Sequence, residues 1–365
     1  MEKFVTSGWT EMRRTMAEYH MSQEEKEYLS QYDITQFDRP SIATDIAVFS
    51  IMGKRNQTDK EMVQDVENYR KSPEKKLKIL LIKRAAYPYR DCWALPGGFC
   101  QSGEDVYETA RRELYEETHV KNVYLSLCGI YGDANRDPRG WIISHTFLAL
   151  MDGEKSDLKA DTDAWEARWF DVDFEVKQKK KRIQESTALL ENEYYLTLRS
   201  TDIAATNLGD VSSARMAAEN PKKGKTGSSV SAVGGVRGNQ EISLSAVVRE
   251  TKEFKNYHET VSYEIIKNDG FAFDHAKIIT CAILSLRQQA EADGKIVFDL
   301  MPELFTFTEL QKAFEIILDR KLLVANFRRK MMPYVVETDQ ILEGAGHRPA
   351  KLFRRNVEMF YRESR

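Results

Sequence analysis

The stretch GGFCQSGEDVYETARRELYEETHV, residues 97–120, decides the fold of the first part of the chain. Its run VYETARRELYEET predicts one helix, and Ser102 followed three residues later by Asp105 predicts a capping box at the start. Glu104 and Asp105 are then expected in the first helical turn, where negative charge is favourable. The apolar stripe expected to hold this helix against a sheet consists of Ala110, Leu114 and Val120.

Three carboxylates share one face of the predicted helix. Glu113, Glu116 and Glu117 stand at i, i+3 and i+4, so they repel one another unless something neutralises them. Arg112, four residues before Glu116, can neutralise one of them. Hard oxygen ligands at this density suit Mg²⁺ or Mn²⁺, which also keep waters and substrate phosphates in their shell. A solvated acidic helix face is the alternative, and spacing alone does not decide between the two.

The residues around these glutamates decide between a metal site and a solvated helix face. The stretch resembles the Nudix box of the Nudix hydrolase superfamily: Gly, five residues, Glu, seven residues, then Arg-Glu-apolar-any-Glu-Glu-any-Gly-apolar. Gly98, Glu104 and residues 112–120 match every fixed position except one, because His119 stands where the family has Gly. His119 is expected to turn the chain through a left-handed conformation, at a cost of about 1 kcal/mol. The preceding ALPGG also looks like the family's lead-in.

The resemblance implies hydrolysis of a pyrophosphate that joins a nucleoside to another group. Metal ions would clamp the phosphates and lower the pKa of an attacking water. Arg112 would hold the glutamates in place, and Glu104 would pair with it. Carried over position by position, the catalytic residues would be Arg112, Glu113, Glu116 and Glu117, and the metal would be held by Glu113, Glu116, Glu117 and the carbonyl of Gly98.

Two further segments extend the predicted site. Glu166, in DAWEARWF, is expected just before a strand, where many Nudix proteins place another acidic residue near the metal. An exposed carboxylate leading into a strand is the alternative. Tyr89 and Arg90, with Tyr87, in YPYRDCW are expected to line the substrate pocket.

The segment DANRDPRGW, residues 133–141, carries two arginines and an aromatic residue around a turn. Arg136 and Arg139 suit phosphate binding, and Trp141 can stack on a base or on the chain's own core. A salt-bridged turn is the alternative. The segment resembles what Nudix proteins acting on ADP-ribose and related sugar nucleotides carry here, so ligand contact is favoured.

The second half of the chain resembles a winged helix. FTFTELQKAFEIIL predicts a helix capped by Thr308, and VANFRRKMM predicts a second short helix that Pro333 ends. YVVETD and AKLFRRN then predict two strands joined by the turn GAGHRP. Winged helices bind DNA or serve as protein-interaction modules, and both alternatives are open at this point.

Charge favours DNA. Residues 320–365 contain eleven Lys and Arg against five Asp and Glu, in a chain with a formal net charge of −3. Asn326 begins the second helix and is a candidate for reading a base edge, while cations would contact phosphates. The predicted DNA-binding residues are Asn326, Arg328, Arg329, Lys330, Arg348, Lys351 and Arg354, with Arg355 beside them.

The pairing of a Nudix domain with NFRRKM and GAGHRPAKLFR resembles the Nudix-related transcriptional regulators of NAD and sugar metabolism. In that family the Nudix domain often senses ADP-ribose or a related metabolite, and the winged helix binds operator DNA as a dimer. Two functions therefore stay open: a Mg²⁺-dependent pyrophosphatase with a DNA-binding domain, and a catalytically idle sensor. We expect a homodimer, because symmetric operators need paired half-sites.

The predicted fold class is α+β: a Nudix α/β/α sandwich with a mixed sheet, followed by a C-terminal winged helix-turn-helix domain. SIATDIAVFSI and LKILLIKR predict strands, and KQKKKRIQ predicts a solvated loop or helix face. The predicted organisation is a helical lead-in at 1–40, a Nudix domain at 41–200, a flexible Gly/Ser/Lys-rich insertion at 201–241, connecting strands at 242–270 and a winged helix at 271–365.

Composition and cysteine spacing limit the remaining classes of protein. The 365 residues are 42% hydrophobic and 30% charged, and no apolar run approaches the length of a membrane span. The four cysteines form no C-x-x-C pair, so neither a zinc site nor a disulfide framework is indicated. We expect reduced, mostly buried thiols and a cytoplasmic protein without a membrane partner.

Overall fold

The computed structural model describes residues 21–53, 75–121, 123–151, 164–184, 186–200, 205–206, 241–342 and 349–362. The chain divides into two units, Met1–Pro40 and Ser41–Arg365. In the first unit, helix α1 (Gln23–Gln31) begins at a capping box of Ser22 and Glu25, and it buries none of its residues. Of the helical lead-in predicted at 1–40, the structure describes this one α-helix, and residues 1–20 lie outside the described residues.

The second unit combines one large sheet, one small sheet and five helices within the described ranges. The strands of the large sheet are β1 (Ser41–Met52), β2 (Lys76–Arg84), β3 (Trp93–Ala94), β4 (Gly97–Phe99), β5 (Tyr124–Tyr131), β6 (Ile142–Leu150), β7 (Ala164–Gln184), β8 (Thr187–Ser200), β9 (Ala205–Thr206), β10 (Ile242–Lys255) and β11 (His258–Asp269). The small sheet contains β12 (Phe305–Thr306), β13 (Val335–Leu342) and β14 (Ala350–Arg355). The helices are α2 (Val106–Thr118), α3 (His275–Ala292), α4 (Phe307–Leu318), α5 (Val324–Met331) and α6 (Val357–Arg362).

The large sheet is mixed, as predicted. Its main order is β11-β10-β8-β7-β2-β1-β6-β5, and β3, β4 and β9 pair with β2, β1 and β7. β1 runs parallel to β6 and antiparallel to β2 and β4. Strands β10 and β11 continue this same sheet beyond β8, so the connecting strands are part of it.

Both faces of β1 are buried. Ile46 and Val48 belong to a core that includes Leu114 of helix α2, whereas Ala47 and Phe49 belong to the core on the opposite face. A strand covered on both sides reads as a continuous apolar run, which explains the pattern of SIATDIAVFSI. The predicted stripe of α2 is confirmed, since Ala110, Leu114 and Val120 are all buried.

Helix α3 covers the other face of the sheet. Its Ile279 and Ile283 are fully buried, and they share one core with Leu310 and Phe314 of α4 and Phe327 of α5. The sandwich and the helix pair that follows it therefore have a continuous apolar interior. This packing ties the position of the C-terminal helices to the sheet through α3.

The C-terminal part has the winged-helix arrangement that the sequence predicted. Helices α4 and α5 precede β13 and β14, and β12 pairs with β14. The rings of Phe327 and Phe353 meet the ring of Phe307 edge-on, with centroids 5.6 Å away in both cases. The predicted cap was wrong: Thr306, not Thr308, caps α4, because its side chain accepts from the backbone N–H of Glu309.

Two other local predictions were wrong. Helix α2 is capped by Asp105 with Glu108 as its reciprocal partner, and not by Ser102, so Glu104 and Asp105 precede the first turn. The lysine-rich run KQKKKRIQ is the second half of β7, and it pairs with β8. Ion pairs to β8, such as Lys179 with Glu193 at 3.0 Å, help to stabilise this extended form.

Some predictions fall largely outside the described residues. Of the insertion at 201–241, the structure describes 205–206, which form β9, and 241. Arg348 also lies outside the described residues. No helix in the described ranges is long and apolar enough to cross a membrane. The four cysteines are half-buried free thiols, less buried than expected.

Candidate active site and nucleic-acid interface

A cavity of about 430 Å³ opens beside helix α2 and β4. β1 and β4 form one wall, where Asp45 pairs in register with Gly97 and Thr44 with Gly98. The remaining walls come from α2, the end of β2 with the loop after it, the segment between β5 and β6, and the start of α3. Of the predicted site residues, the cavity is lined by Gly98, Glu113, Glu117, Arg136 and Arg139.

Arg112 is the centre of the glutamate cluster on α2. Its Nε and Nη2 donate to the two carboxylate oxygens of Glu104 at 2.7 and 2.9 Å. Its Nη1 donates to Glu113 at 2.6 Å and to Glu116 at 3.1 Å. The predicted pairing of Arg112 with Glu104, Glu113 and Glu116 is thus present, and it removes much of their mutual repulsion.

This pairing changes the proton affinity of the groups involved. The hydrogen bonds from Arg112 lower the pKa of Glu104 to about 2. The same contacts raise the pKa of Arg112 above its usual value. Both groups therefore stay charged at any pH near neutrality.

The glycines of β4 let the sheet approach the glutamates closely. A Cβ built on Gly98 would lie 2.4 Å from the Glu113 carboxyl carbon, far inside contact distance. The backbone N–H of Gly97 donates to Glu117 Oε2 at 2.8 Å, which fixes that carboxylate against the strand. Helix α2 then ends at His119 with φ 60° and ψ 13°, as expected for the residue that replaces the family's Gly.

The donor set suits a divalent metal in part. Glu113 and Glu117 line the cavity and present hard oxygen atoms, which Mg²⁺ and Mn²⁺ prefer. Glu116 has a half-exposed side chain and does not line the cavity. Across the described ranges, no three His, Cys, Asp or Glu side chains are grouped closely enough to hold a metal by themselves. A metal here would need substrate phosphates and waters in addition to the two carboxylates.

Glu166 lies elsewhere than predicted. It is inside β7, opposite Lys83 of β2, because β7 already begins at Ala164. Its carboxylate is buried against the guanidinium of Arg168. Glu166 is not among the described residues that line the cavity, so it does not extend the glutamate cluster.

The segment at 133–141 is both a salt-bridged turn and part of the cavity wall. Arg139 Nη2 donates to Asp137 at 2.7 Å, and its guanidinium carbon lies 4.9 Å from the ring of Phe99 and 5.3 Å from the ring of Phe273. Arg136 is buried and donates to both oxygens of Asp274, at 2.8 and 3.2 Å. The salt-bridged turn is therefore present, and both arginines also line the cavity, while their contact with a ligand stays a prediction.

Three other predicted contacts stand outside the cavity lining as the structure describes it: Trp141, Tyr89 and Arg90. Trp141 is half exposed, and its carbonyl accepts from the N–H of Ser41. The centroid of the Tyr89 ring lies 4.7 Å from that of Phe273, so the two rings are in contact. Tyr87, from the same loop, does line the cavity.

Asp45, Phe273 and His275 are among the lining residues that the sequence did not reveal. Asp45 was detectable as the one carboxylate within the apolar run of β1. Phe273 and His275 come shortly after β11, the last strand of the large sheet. In sequence they are far from the Nudix box at residues 98–120. No local pattern could have connected them to it.

His275 and Asp45 form a buried polar pair at the cavity. The backbone N–H of Leu95 donates to His275 Nδ1 at 2.9 Å, and His275 Nε2 lies 3.5 Å from Asp45 Oδ1. Burial lowers the pKa of His275, so the ring is neutral and carries its proton on Nε2. Ser144 and Arg136 approach the other oxygen of Asp45.

The predicted DNA-binding residues occupy different environments. Asn326, Arg328, Arg329 and Arg354 are exposed. Lys330 donates to the carbonyl of Glu291 near the end of α3 at 2.7 Å, and Lys351 pairs with Glu337 across the wing strands. Arg355 donates to Asp299 at 2.6 Å and has a structural role.

Comparison with known proteins agrees with the two regions described above, the cavity beside α2 and the winged helix. Residues 70–190 match the family model of the NUDIX domain, and residues 297–355 match that of the NrtR DNA-binding winged helix domain. The chain joins a Nudix domain to an NrtR-type winged helix. The match to both families confirms the resemblance drawn from the box and from NFRRKM.

Individual relatives cover different parts of the chain. The ADPR responsive transcriptional repressor NtrR of Acinetobacter baylyi is 26% identical over 90% of this chain and 88% of its own length. The ADP-ribose pyrophosphatase of Methanocaldococcus jannaschii is 48% identical over 27% of this chain and 57% of its own length. A MutT/nudix family protein from Enterococcus faecalis shares the fold, with a TM-score of 0.54 and 20% identity over 95% of this chain and 98% of its own.

Proposed function

We propose that the Nudix domain hydrolyses the pyrophosphate of ADP-ribose or a related nucleoside diphosphate derivative with Mg²⁺, and that the winged helix binds DNA. The observation that carries the proposal is a cavity lined both by two glutamates of α2 and by arginines. Glu113 and Glu117 lie on one wall, and Arg136 and Arg139 line the same space. A pyrophosphate requires this combination, with metal-binding carboxylates on one side and cations on the other.

Each group has a distinct task in this proposal. Glu113 and Glu117 would hold a metal, which when bound clamps the phosphates and lowers the pKa of the attacking water. Arg112 keeps Glu113 oriented, since the two are joined by a hydrogen bond of 2.6 Å. Arg139 offers a guanidinium to a phosphate, while the rings of Phe99 and Phe273 beside it offer apolar surface to a base.

A second candidate function is metabolite sensing, and one contact favours it. Arg136 lines the cavity, yet its guanidinium is bound to Asp274, the residue that directly precedes helix α3. A phosphate that attracts Arg136 would compete with Asp274 for the same donors. Helix α3 shares its core with α4 and α5, so a change at its start can reach the winged helix. Hydrolysis and sensing are compatible in one chain.

The exposed cations of α5 support DNA binding. We further propose a homodimer, since one winged helix reads few base pairs and a two-fold operator needs two. Sedimentation of the full chain at micromolar concentration tests this, and a monomer would contradict it. A protein that binds a nucleoside diphosphate derivative and DNA is expected in the cytoplasm.

The enzymatic proposal is tested with the full chain, ADP-ribose and Mg²⁺. Cleavage to AMP and ribose 5-phosphate supports hydrolysis. Tight binding without cleavage supports sensing alone. Neither binding nor cleavage would contradict both candidate functions of the cavity.

A further inference from the structure

Two adjacent apolar side chains project from the start of helix α5. Leu323 is 75% exposed and Val324 is 65% exposed, more than any other large apolar residue described between 297 and 362. Single exposed apolar residues are ordinary on protein surfaces. A neighbouring pair at the end of a helix that already carries exposed cations calls for an explanation.

The pair does not serve the helix itself. Leu323 occupies the N-cap position of α5, and its side chain makes no capping hydrogen bond. The same chain caps α2 with Asp105 and α4 with Thr306, the residue types that satisfy the first backbone N–H groups. Leucine at this position leaves those groups without a side-chain acceptor, so phosphates can accept from them.

The outer face of α5 fits a nucleic acid. Phe327 and Met331 are buried, and on the helical wheel Ala325, Asn326 and Arg329 lie opposite them. From Arg320 to Tyr334 the sequence contains no Asp or Glu. This stretch therefore adds no negative charge around the apolar pair, and the nearby carboxylates of Glu291 and Glu315 are paired with Arg320 and Lys321.

The turn before α5 holds this end of the helix in place. Glu315 of α4 accepts from the backbone N–H of Leu322 at 3.0 Å, and Gln311 donates to the Leu322 carbonyl at 3.0 Å. Asp319 ends α4 in a left-handed conformation, with φ 52°. Leu323 thus follows a residue whose backbone is bonded on both sides, and its position relative to the groove is set before DNA arrives.

We propose that Leu323 and Val324 contact the 5-methyl groups of thymines in the major groove, so that the half-site carries T·A pairs where the start of α5 enters. The inference rests on the DNA binding proposed above. Thymine is the base whose major-groove edge presents a methyl group, and apolar side chains recognise it by contact. Asn326, one helical turn after Leu323, is placed to read a neighbouring adenine.

The test begins with selection of binding sites from a random duplex library by the full-length protein. In the selected duplex, each thymine is then replaced by deoxyuracil, which removes the methyl group and keeps every hydrogen-bonding atom. Loss of one buried methyl is expected to weaken binding roughly fourfold at one or two positions per half-site. Thymines elsewhere in the duplex serve as internal controls.

Variants then assign the effect to the protein. Leu323→Ala and Val324→Ala are expected to bind the thymine and deoxyuracil duplexes with equal affinity at the sensitive positions. Val357→Ala is the matched control, because Val357 is an apolar residue of α6 that is 57% exposed. It is expected to keep the difference seen with the unmodified protein.

Several results would overturn the inference. Selected half-sites without thymine at the helix-facing positions would do so, as would deoxyuracil substitution without effect. Enrichment of no sequence at all would reject sequence-specific DNA binding itself, which separates failure of the proposed function from failure of this inference. If Leu323→Ala weakens self-association and leaves DNA affinity unchanged, the apolar pair is a protein contact.

Discussion

At the residue scale, Arg112 organises the site. One guanidinium reaches Glu104, Glu113 and Glu116 and also donates to the carbonyl of Phe99 in β4. Because these partners come from the helix, the loop before it and the strand beside it, a single side chain fixes all three relative to one another. The sequence predicted its glutamate partners, but the contact with Phe99 depends on the fold.

Glu104 gives a pH signature for this arrangement. Its pKa is about 2 in the folded protein against an ordinary value of 4.5, so its stabilising effect is complete above pH 4.5 and is lost as pH falls towards 2. Glu104→Gln is expected to be less stable than the wild type at pH 6, with a difference that shrinks below pH 4. Urea unfolding from pH 6 to pH 3 measures this, and Glu175→Gln on exposed β7 is the control. A difference that is independent of pH would contradict the ion pair.

Gly98 gives a steric prediction. A Cβ at this position would lie 2.4 Å from the Glu113 carboxyl carbon, so Gly98→Ala must displace that carboxylate. We expect hydrolysis to fall by about 100-fold or more, since small misplacement of a catalytic group has effects of that size. Gly132→Ala is the control, because its Cβ would meet Ile143 at an ordinary 3.5 Å. Equal activity of the two variants, both folded by circular dichroism, would contradict the role of Glu113.

At the element scale, local patterns predicted the elements and missed their long-range contacts. The run VYETARRELYEET marks the bounds of helix α2, because its spacing and its box both act within one helix. The lysine-rich end of β7 was mispredicted, because its extended form depends on pairing with β8. Phe273 and His275 were missed because they reach the cavity only after the chain has crossed the sheet.

The start of helix α3 carries the prediction that belongs to this scale. Asp274→Asn removes the charge that holds Arg136 and leaves the helix otherwise intact, since Asn is also accepted at this position. We expect DNA affinity without ligand to shift towards the value that the wild type shows with ADP-ribose, and the further effect of ADP-ribose to disappear. Fluorescence anisotropy with and without ADP-ribose measures both quantities.

The control for this experiment lies at the other end of the same helix. Asp293 follows α3 and pairs with Lys295, away from the cavity residues. Asp293→Asn should leave the ligand effect unchanged. If both variants respond to ADP-ribose like the wild type, the link through Asp274 is wrong, whereas hydrolysis and DNA binding would stand.

At the scale of the whole molecule, the sheet, α3 and the winged helix share one apolar core. The sequence predicted both folded parts and their order, and the family matches at 70–190 and 297–355 agree with that order. It could not predict that residues after the main sheet would help to line the cavity. That property follows from how the chain returns along β10 and β11 to the start of α3.

DNA binding is tested at this scale through its salt dependence. Arg328→Ala combined with Arg329→Ala should weaken binding and reduce the slope of log affinity against log salt by roughly 2, if each arginine neutralises one phosphate. Lys177→Ala combined with Lys252→Ala, two cations of the large sheet, is the control and should leave the slope unchanged. Binding by the wild type that does not respond to salt would exclude the phosphate contacts.

The most direct test of the central claim is phosphorus NMR of ADP-ribose hydrolysis with Mg²⁺ by the wild type, Glu117→Gln and Glu116→Gln. Glu117 is buried at the cavity and bonded to Gly97, whereas Glu116 is half exposed and outside the lining. We predict conversion to AMP and ribose 5-phosphate by the wild type, a loss of about 100-fold or more in Glu117→Gln, and less than about tenfold in Glu116→Gln. Equal turnover by the wild type and Glu117→Gln would contradict the role given to Glu117, and the absence of turnover in a wild type that binds ADP-ribose would contradict a working pyrophosphatase.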